Sequence, residues 1–449
     1  MRWTDALVRE ALGLPSVLPP AEYSQVSTDT RTISQAALFV ALKGERHDGH
    51  DHLLAARDAG ATGAVVRAGT PAVAGFQLYV VEDTLAAYGR LALLRRKRIG
   101  GPVVAIGGAN GKTSTKEMCR AVLSTRYRVH ATPANDNNLV GIPKTILGAP
   151  GEIEALVIEA GASVRGELAR ARSIIEPSVV ITTNVVLSHL DGFGSLDGVL
   201  EEELDLLDGA PLAIVGTEPG ALAERARSRA KLVITAGLAR ADRAPQSVSV
   251  DSTGRATLVV DDHRITLPLL GQHQAGNAML AWTLVRELGL DQVASVEALR
   301  TLRIPGGRGE LIQSGGLTIV NDAYNANPSS FLAAIATARA MRGSRRLVFV
   351  AGTMRELGDD AARHHAAVAA ALVGLEPDLL AAVGEFVPAL APYAERLKGR
   401  LLTAPDALAM GPVLKERLQG DELIVLKASR GAALERILPH LTGQDHSTH

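Results

Sequence analysis

The sequence predicts an α/β protein in three domains, and three observations predict it. Short, continuously apolar runs alternate with helix-like stretches along most of the chain, as in parallel sheets covered on both faces. A glycine-rich turn joins one of these runs to a helix, at VVAIGGANGKTSTKEM. The length of 449 residues, at roughly 100–200 residues per domain, leaves room for about two to four domains.

The first block, residues 1–85, holds the short runs ALFVAL, GAVV and LYVV, broken by Gly, Pro and Asp. A small α/β unit fits that pattern. A helix over 84–98 leads into the second block, 86–310. There PVVAI, ALVIE, SVVITTN, LAIV and KLVIT read as buried parallel strands, with helices at 113–123, 198–207 and 275–288. Between 247 and 267 the pattern alternates with period two, which predicts an antiparallel ribbon. PGGRGE at 305–310 reads as a linker. The third block, 311–449, repeats the strand–helix alternation in LTIVND, RLVFVAG, LLAAV and ELIVLK. That is a Rossmann-like pattern. The polar C-terminus, TGQDHSTH, is expected to fray.

Composition excludes several functions. A hydrophobic fraction of 47% with 21% charged residues rules out general disorder. Basic and acidic side chains balance at 47 against 48, so nucleic acid is not an expected partner. One cysteine excludes a disulfide scaffold and a cysteine zinc cluster, and points to a reducing compartment. Cys119 itself reads as a small core residue. The N-terminus has no apolar leader and no long uncharged apolar stretch occurs, so a soluble, cytoplasmic protein without membrane insertion is expected.

The sharpest motif is the glycine-rich turn. Gly108 and Gly111 allow backbone N–H groups to face phosphate oxygens at a helix N-terminus. Lys112 would reach the β/γ-phosphates and the Thr113 hydroxyl would serve Mg²⁺. The match is to a short GxNGKT form, because Ile106 stands where the full pattern has its first glycine. Glu159 ends an apolar strand, where open α/β sheets bind ligands. Alone, such a glutamate serves either a metal or a helix cap. His189 alone reads as a loop histidine, and His364 and His365 as solvated residues of a polar helix.

Taken in order, these motifs resemble the Mur ligases, the ATP-dependent amide-forming enzymes of peptidoglycan precursor synthesis. The resemblance covers nearly the whole chain. It runs through STDTRTI, LFVALKGERHDGH, GANGKTSTKE, TPANDNNLVGIP, VIEAGASVRGEL, TNVVLSHLDGFGSLDG, GQHQAGNAMLA, PGGRGE, NDAYNANPSS, AGTMRELG and LKASRGAALE. NDAYNANPSS resembles the branch that adds D-alanyl-D-alanine. The implied architecture is the three-domain Mur ligase one, with a central P-loop ATPase domain and a C-terminal Rossmann-like domain. The implied ligands are ATP, Mg²⁺, a UDP-N-acetylmuramoyl-tripeptide and D-alanyl-D-alanine, bound by a monomer.

The resemblance also implies roles. Lys112, Glu159, His189 and Arg308 would be catalytic. Gly108, Asn110, Gly111, Lys112, Thr113, Ser114, Asn277, Arg308, Asp322 and Asn325 would hold the nucleotide. Ser27, Thr28, Asp29, Arg31 and Lys43 would surround the uridine diphosphate. Asn135, Asn137, Asn138, Tyr324, Asn327, Lys427, Ser429 and Arg430 would lie nearer the reacting groups. Thr113, Glu159 and His189 would bind metal. Most of the family carries a carbamylated lysine where this chain has Glu203, and no lysine lies between Lys144 and Lys231. Glu203 is therefore expected to supply the missing metal carboxylate, with Glu201 or Glu202 as alternatives in the same acidic run.

Overall fold

The computed structural model describes residues 2–15, 21–304 and 306–443. Pro305 of the expected linker, and 444–449 of the tail expected to fray, lie outside them.

Each block builds its own sheet. At the N-terminus, four parallel strands run in the order Val26–Ser27, Ala37–Val40, Ala61–Arg67, Gln77–Val81. A buried chain of polar groups backs them. Tyr23 bonds Tyr79 at 2.8 Å, and the Tyr79 hydroxyl donates to Asp5 at 2.6 Å.

The central sheet has six strands, all parallel, in the order Val233–Thr235, Leu212–Val215, Val179–Thr182, Val103–Gly107, Ala155–Glu159, Val129–Ala131. Its apolar runs are two-faced, as expected. Val103 and Ala105 join one buried cluster, while Val104 and Ile106 join the cluster on the opposite face. Cys119 is buried in that second cluster, and burial pushes its thiol pKa up. The expected ribbon is a three-stranded antiparallel sheet, Ser247–Val250, Arg255–Val260 and His263–Leu270. The helix His273–Glu287 follows it.

The C-terminal sheet also has six strands, in the order Glu310–Ser314, Leu317–Asp322, Leu423–Lys427, Leu347–Ala351, Leu379–Val383, Leu401–Ala404. Only Glu310–Ser314 runs antiparallel. In the register, Asp322 faces Lys427 across two parallel strand ends. After the short segment 323–327 the helix Pro328–Arg342 starts, with Asn327 and Ser330 forming a capping box.

One polar residue expected at the surface is inside. His365 is 1% exposed. Its Nε2 accepts from the Met354 N–H, and its ring packs edge-on to Phe386. The helix Ala361–Gly374 turns this side chain towards the sheet.

Candidate active site

The phosphate loop is built by close approach. The strand Val103–Gly107 is buried throughout, so the chain must turn sharply where it emerges. Gly108 has φ +111°, and a side chain there would run into Thr183. Gly111 has φ +83°, and a Cβ there would meet Asn277 Oδ1 at 2.5 Å. Glycine is thus required at both positions on steric grounds. The loop is held by Thr183 and Asn184. Thr183 Oγ1 donates to Asn110 O at 2.6 Å, and Asn184 Oδ1 accepts from the Asn110 N–H at 3.1 Å. Lys112 folds back over the turn, its Nζ donating to Gly108 O at 2.6 Å.

Glu159 sits beside the loop. It is 2% exposed, with Oε2 receiving the Thr113 hydroxyl at 2.9 Å and Oε1 receiving Asn137 Nδ2 at 2.9 Å. The other wall comes from the C-terminal sheet. Lys427 Nζ lies 2.7 Å from Asp322 Oδ2 and donates to Asn325 O at 2.7 Å. The Arg308 guanidinium stacks 3.7 Å from the centre of the Tyr324 ring, and that of Arg430 lies 5.2 Å from it. The two walls touch directly. The side-chain amides of Asn110 and Asn327 exchange two hydrogen bonds, at 3.2 and 2.9 Å. Between the walls lies a cavity of about 580 Å³.

Sequence comparison agrees with this plan. Residues 22–94, 106–285 and 307–430 match the family models described as "Mur ligase family, catalytic domain", "Mur ligase middle domain" and "Mur ligase, glutamate ligase domain". The UDP-N-acetylmuramoyl-tripeptide–D-alanyl-D-alanine ligase of Bacillus subtilis (strain 168) is 34% identical over 93% of this chain and 92% of its own. The chain belongs to the Mur ligase family. The ligase of the same name from Escherichia coli (strain K12) is 33% identical over 97% of this chain and 96% of its own. Among solved structures, MurF from Acinetobacter baumannii superposes with a TM-score of 0.88 at 27% identity, covering 99% of both chains. MurF ligase from Thermotoga maritima in complex with ADP has a TM-score of 0.81 at 25% identity, covering 93% of this chain and 97% of that one.

Many of the residues expected to act in this Mur ligase line the one cavity. They are Asn110, Gly111, Lys112, Thr113, Ser114, Asn135, Asn137, Asn138, Glu159, His189, Asn277, Arg308, Asp322, Tyr324, Asn325 and Lys427. Asn138 spends its carbonyl on capping, accepting from Val140 and Gly141 N–H. Gly108, Asn327, Ser429 and Arg430 support the cavity without lining it. Ser429 Oγ, for instance, donates to Ala326 O at 3.2 Å. Ser27, Thr28, Asp29, Arg31 and Lys43 belong to the N-terminal domain and stand apart from this cavity. There Asp29 is held down to a pKa of about 2, chiefly by the hydrogen bond from Arg31. The Thr28 side chain bonds Tyr88, and Lys43 pairs with Asp48 at 3.6 Å.

Glu203 has another partner than expected. Its Oε2 accepts from the Gly108 N–H at 2.7 Å, and the residue does not line the cavity. The helix Leu196–Asp205 presents this side chain beneath the start of the loop. Burial pushes the carboxyl up to a pKa of about 7, against the pull of Lys112 and of the Gly108 N–H. The two alternatives are engaged elsewhere. Glu201 bonds Arg229 at 2.8 Å, and Glu202 caps a helix by accepting from Gly166 and Leu168 N–H.

Other lining residues carried no expected role, Asn184 and His273 among them. Asn184, one residue beyond the loop-holding Thr183, lies within a quoted motif, and its side chain bonds both the N–H and the carbonyl of Asn110. His273 lies within another. Burial lowers its pKa, opposed by nearby Asp322.

The residues present fit Mg²⁺. The ion keeps several waters and takes one or two carboxylates together with substrate phosphates. The paired Thr113 hydroxyl and Glu159 carboxylate offer hard oxygens at the cavity wall. No cluster of three or more metal-ligating His, Cys, Asp or Glu side chains occurs among the described residues. An ion held largely by water and phosphate does not require one.

Proposed function

We propose that the chain joins D-alanyl-D-alanine to the terminal carboxylate of a UDP-N-acetylmuramoyl-tripeptide, at the expense of ATP. The observation that carries this reading is a single cavity walled by a phosphate loop and by the strand ends at Asp322 and Lys427. It occurs in a chain whose near full-length relatives bear that activity in their names.

A carboxylate oxygen of the tripeptide bonds to the γ-phosphorus, the bond from that phosphorus to the bridging oxygen breaks, and ADP leaves. The dipeptide amine, having lost a proton to solvent, then attacks the acyl carbon. The C–O bond to phosphate breaks, the second amine proton passes to the departing phosphate, and an amide remains. The first step joins two anions, so positioning and charge neutralisation carry it. The N–H groups from Gly111 to Ser114 would cradle the phosphates, and Lys112 would leave its backbone carbonyls to meet them. Thr113, Glu159 and His189 would hold Mg²⁺, which supplies positive charge to the phosphate oxygens. Asn277 would meet the adenine, and Asp322 and Asn325 the ribose side. Arg308, stacked on Tyr324, would add charge near the transferred group. With the substrates filling the cavity, the two walls would keep out water, which would otherwise hydrolyse the acyl phosphate. The N-terminal residues Ser27 to Arg31 would hold the uridine diphosphate. We read the three domains as 1–85, 86–310 and 311–449, acting as a cytoplasmic monomer. Among the described residues no helix is long and apolar enough to cross a membrane.

The test is phosphate release from ATP with both substrates present and with each omitted. Turnover should require the tripeptide nucleotide and the dipeptide together. Release that ignores the dipeptide, or no release at all, would overturn the reading.

A further inference from the structure

The loop that carries His189 is gripped from the other domain. His189 Nδ1 lies 2.6 Å from Glu356 Oε2, and the Leu190 N–H donates to Glu356 O at 3.0 Å. Gly358 continues the grip, since a Cβ there would sit 3.5 Å from the Leu190 Cβ. Both sides of this contact are conformationally unusual. His189 has φ +50° and Glu356 φ +63°, a region that residues with side chains avoid unless the surroundings hold them there.

The segment that offers Glu356 is itself strapped to the C-terminal domain. Met354 N–H donates to His365 Nε2 at 3.0 Å, and Arg355 N–H to Ser429 Oγ at 3.0 Å. Ser429 N–H returns a bond to Thr353 O. Glu356 therefore moves with the C-terminal sheet, whereas His189 belongs to the central domain.

Where Glu356 is ionised its carboxylate can only accept, so in this geometry it takes a proton carried on His189 Nδ1. In the neutral ring of that tautomer the Nε2 lone pair is the one left for a ligand, and the ring lines the cavity. A carboxylate on the far nitrogen is the usual device that fixes the tautomer and aim of a metal-binding histidine. We propose that Glu356 is a positioning residue for His189, and that it reaches His189 only when the C-terminal domain is docked. The metal-facing histidine is then aimed by the closure that also brings up Asp322 and Lys427. This rests on the ligase reading for its kinetic consequences, but not for its geometry.

The test uses the full-length chain and the variants Glu356→Ala and Glu356→Gln. The imidazole ¹⁵N shifts of His189, assigned with His189→Gln, report the tautomer without metal or turnover. Wild type should hold the proton on Nδ1. Glu356→Ala should shift to a mixture, and Glu356→Gln, whose amide oxygen still accepts, should lie between. Glu356→Ala should lower kcat about 10–100-fold and raise the Mg²⁺ needed for half-maximal rate about tenfold, with little change in KM for the UDP substrate. Förster transfer between dyes on two introduced surface cysteines reports docking. Cys119, the only native cysteine, is buried and will not compete. Glu356→Ala should favour the undocked distance. An unchanged tautomer in Glu356→Ala overturns the proposal, as does a loss of rate matched by lower Tm with unchanged Mg²⁺ dependence. If wild type shows no ligase turnover, the function fails, while the tautomer and docking readouts still decide the role of Glu356.

Discussion

The phosphate loop and the Ser27–Arg31 segment are both expected to bind anions, yet they are built in opposite ways. The loop is stiff and internal. Two glycines are pinned by Thr183 and Asn277, and Glu159 is buried beside it with both carboxylate oxygens engaged. The N-terminal segment lies in the open. The Arg31 side chain is 86% exposed and pairs with its near neighbour Asp29. A group that must stabilise charge during a reaction gains from low dielectric and fixed geometry. A group that only has to capture a substrate can remain solvated, at the cost of weaker contacts.

The sharpest break of this contrast is at Glu159. Glu159→Gln should reduce kcat by about 10³-fold, because the loss falls on the transition state. Steady-state rates at saturating substrates measure it, and a loss below tenfold would place the metal elsewhere. Arg31→Ala should behave differently. KM for the UDP substrate should rise about tenfold, roughly the worth of one charge-assisted hydrogen bond, while kcat stays near wild type. A fall in kcat with constant KM would move Arg31 into the chemistry.

The mildest expected effect is at Glu203. Its carboxyl has a pKa of about 7 against an ordinary 4.5. Between those values the folded chain holds the extra proton, so this group's contribution is full below 4.5 and is lost as pH rises through 7. Glu203→Gln should therefore flatten the fall of stability across that window, read by urea unfolding at a series of pH values. Identical slopes in the two proteins would remove Glu203 from the account.

The loop was legible in the sequence because its chemistry is local. Strand, glycines, lysine and threonine occupy consecutive positions. Apolar runs such as VVAI likewise mark a strand buried on both faces. The short edge strands Val129–Ala131 and Leu401–Ala404 were not legible, since three or four residues carry no clear period. The acidic run at Glu201–Glu203 was legible as charge but not as three separate tasks. Which carboxylate meets an arginine, a helix end or a loop amide depends on contacts far apart in sequence. The grip of Glu356 on His189 was hidden for the same reason.

The paired amides of Asn110 and Asn327 carry one more consequence. Each donates and accepts, and neither bears charge. Asn327 is also the first cap of the helix Pro328–Arg342, so the fastening joins the rim of the nucleotide cradle to a rigid rod of the neighbouring domain. Mobile ions screen attraction between exposed charges beyond about 10 Å at 0.1 M salt, but have little hold on a neutral clasp. Ionic strength should thus loosen the capture of the polyanionic substrates, raising their KM, while leaving the clasp shut. The enzyme would separate, in one molecule, a salt-tunable entrance from a salt-indifferent bolt.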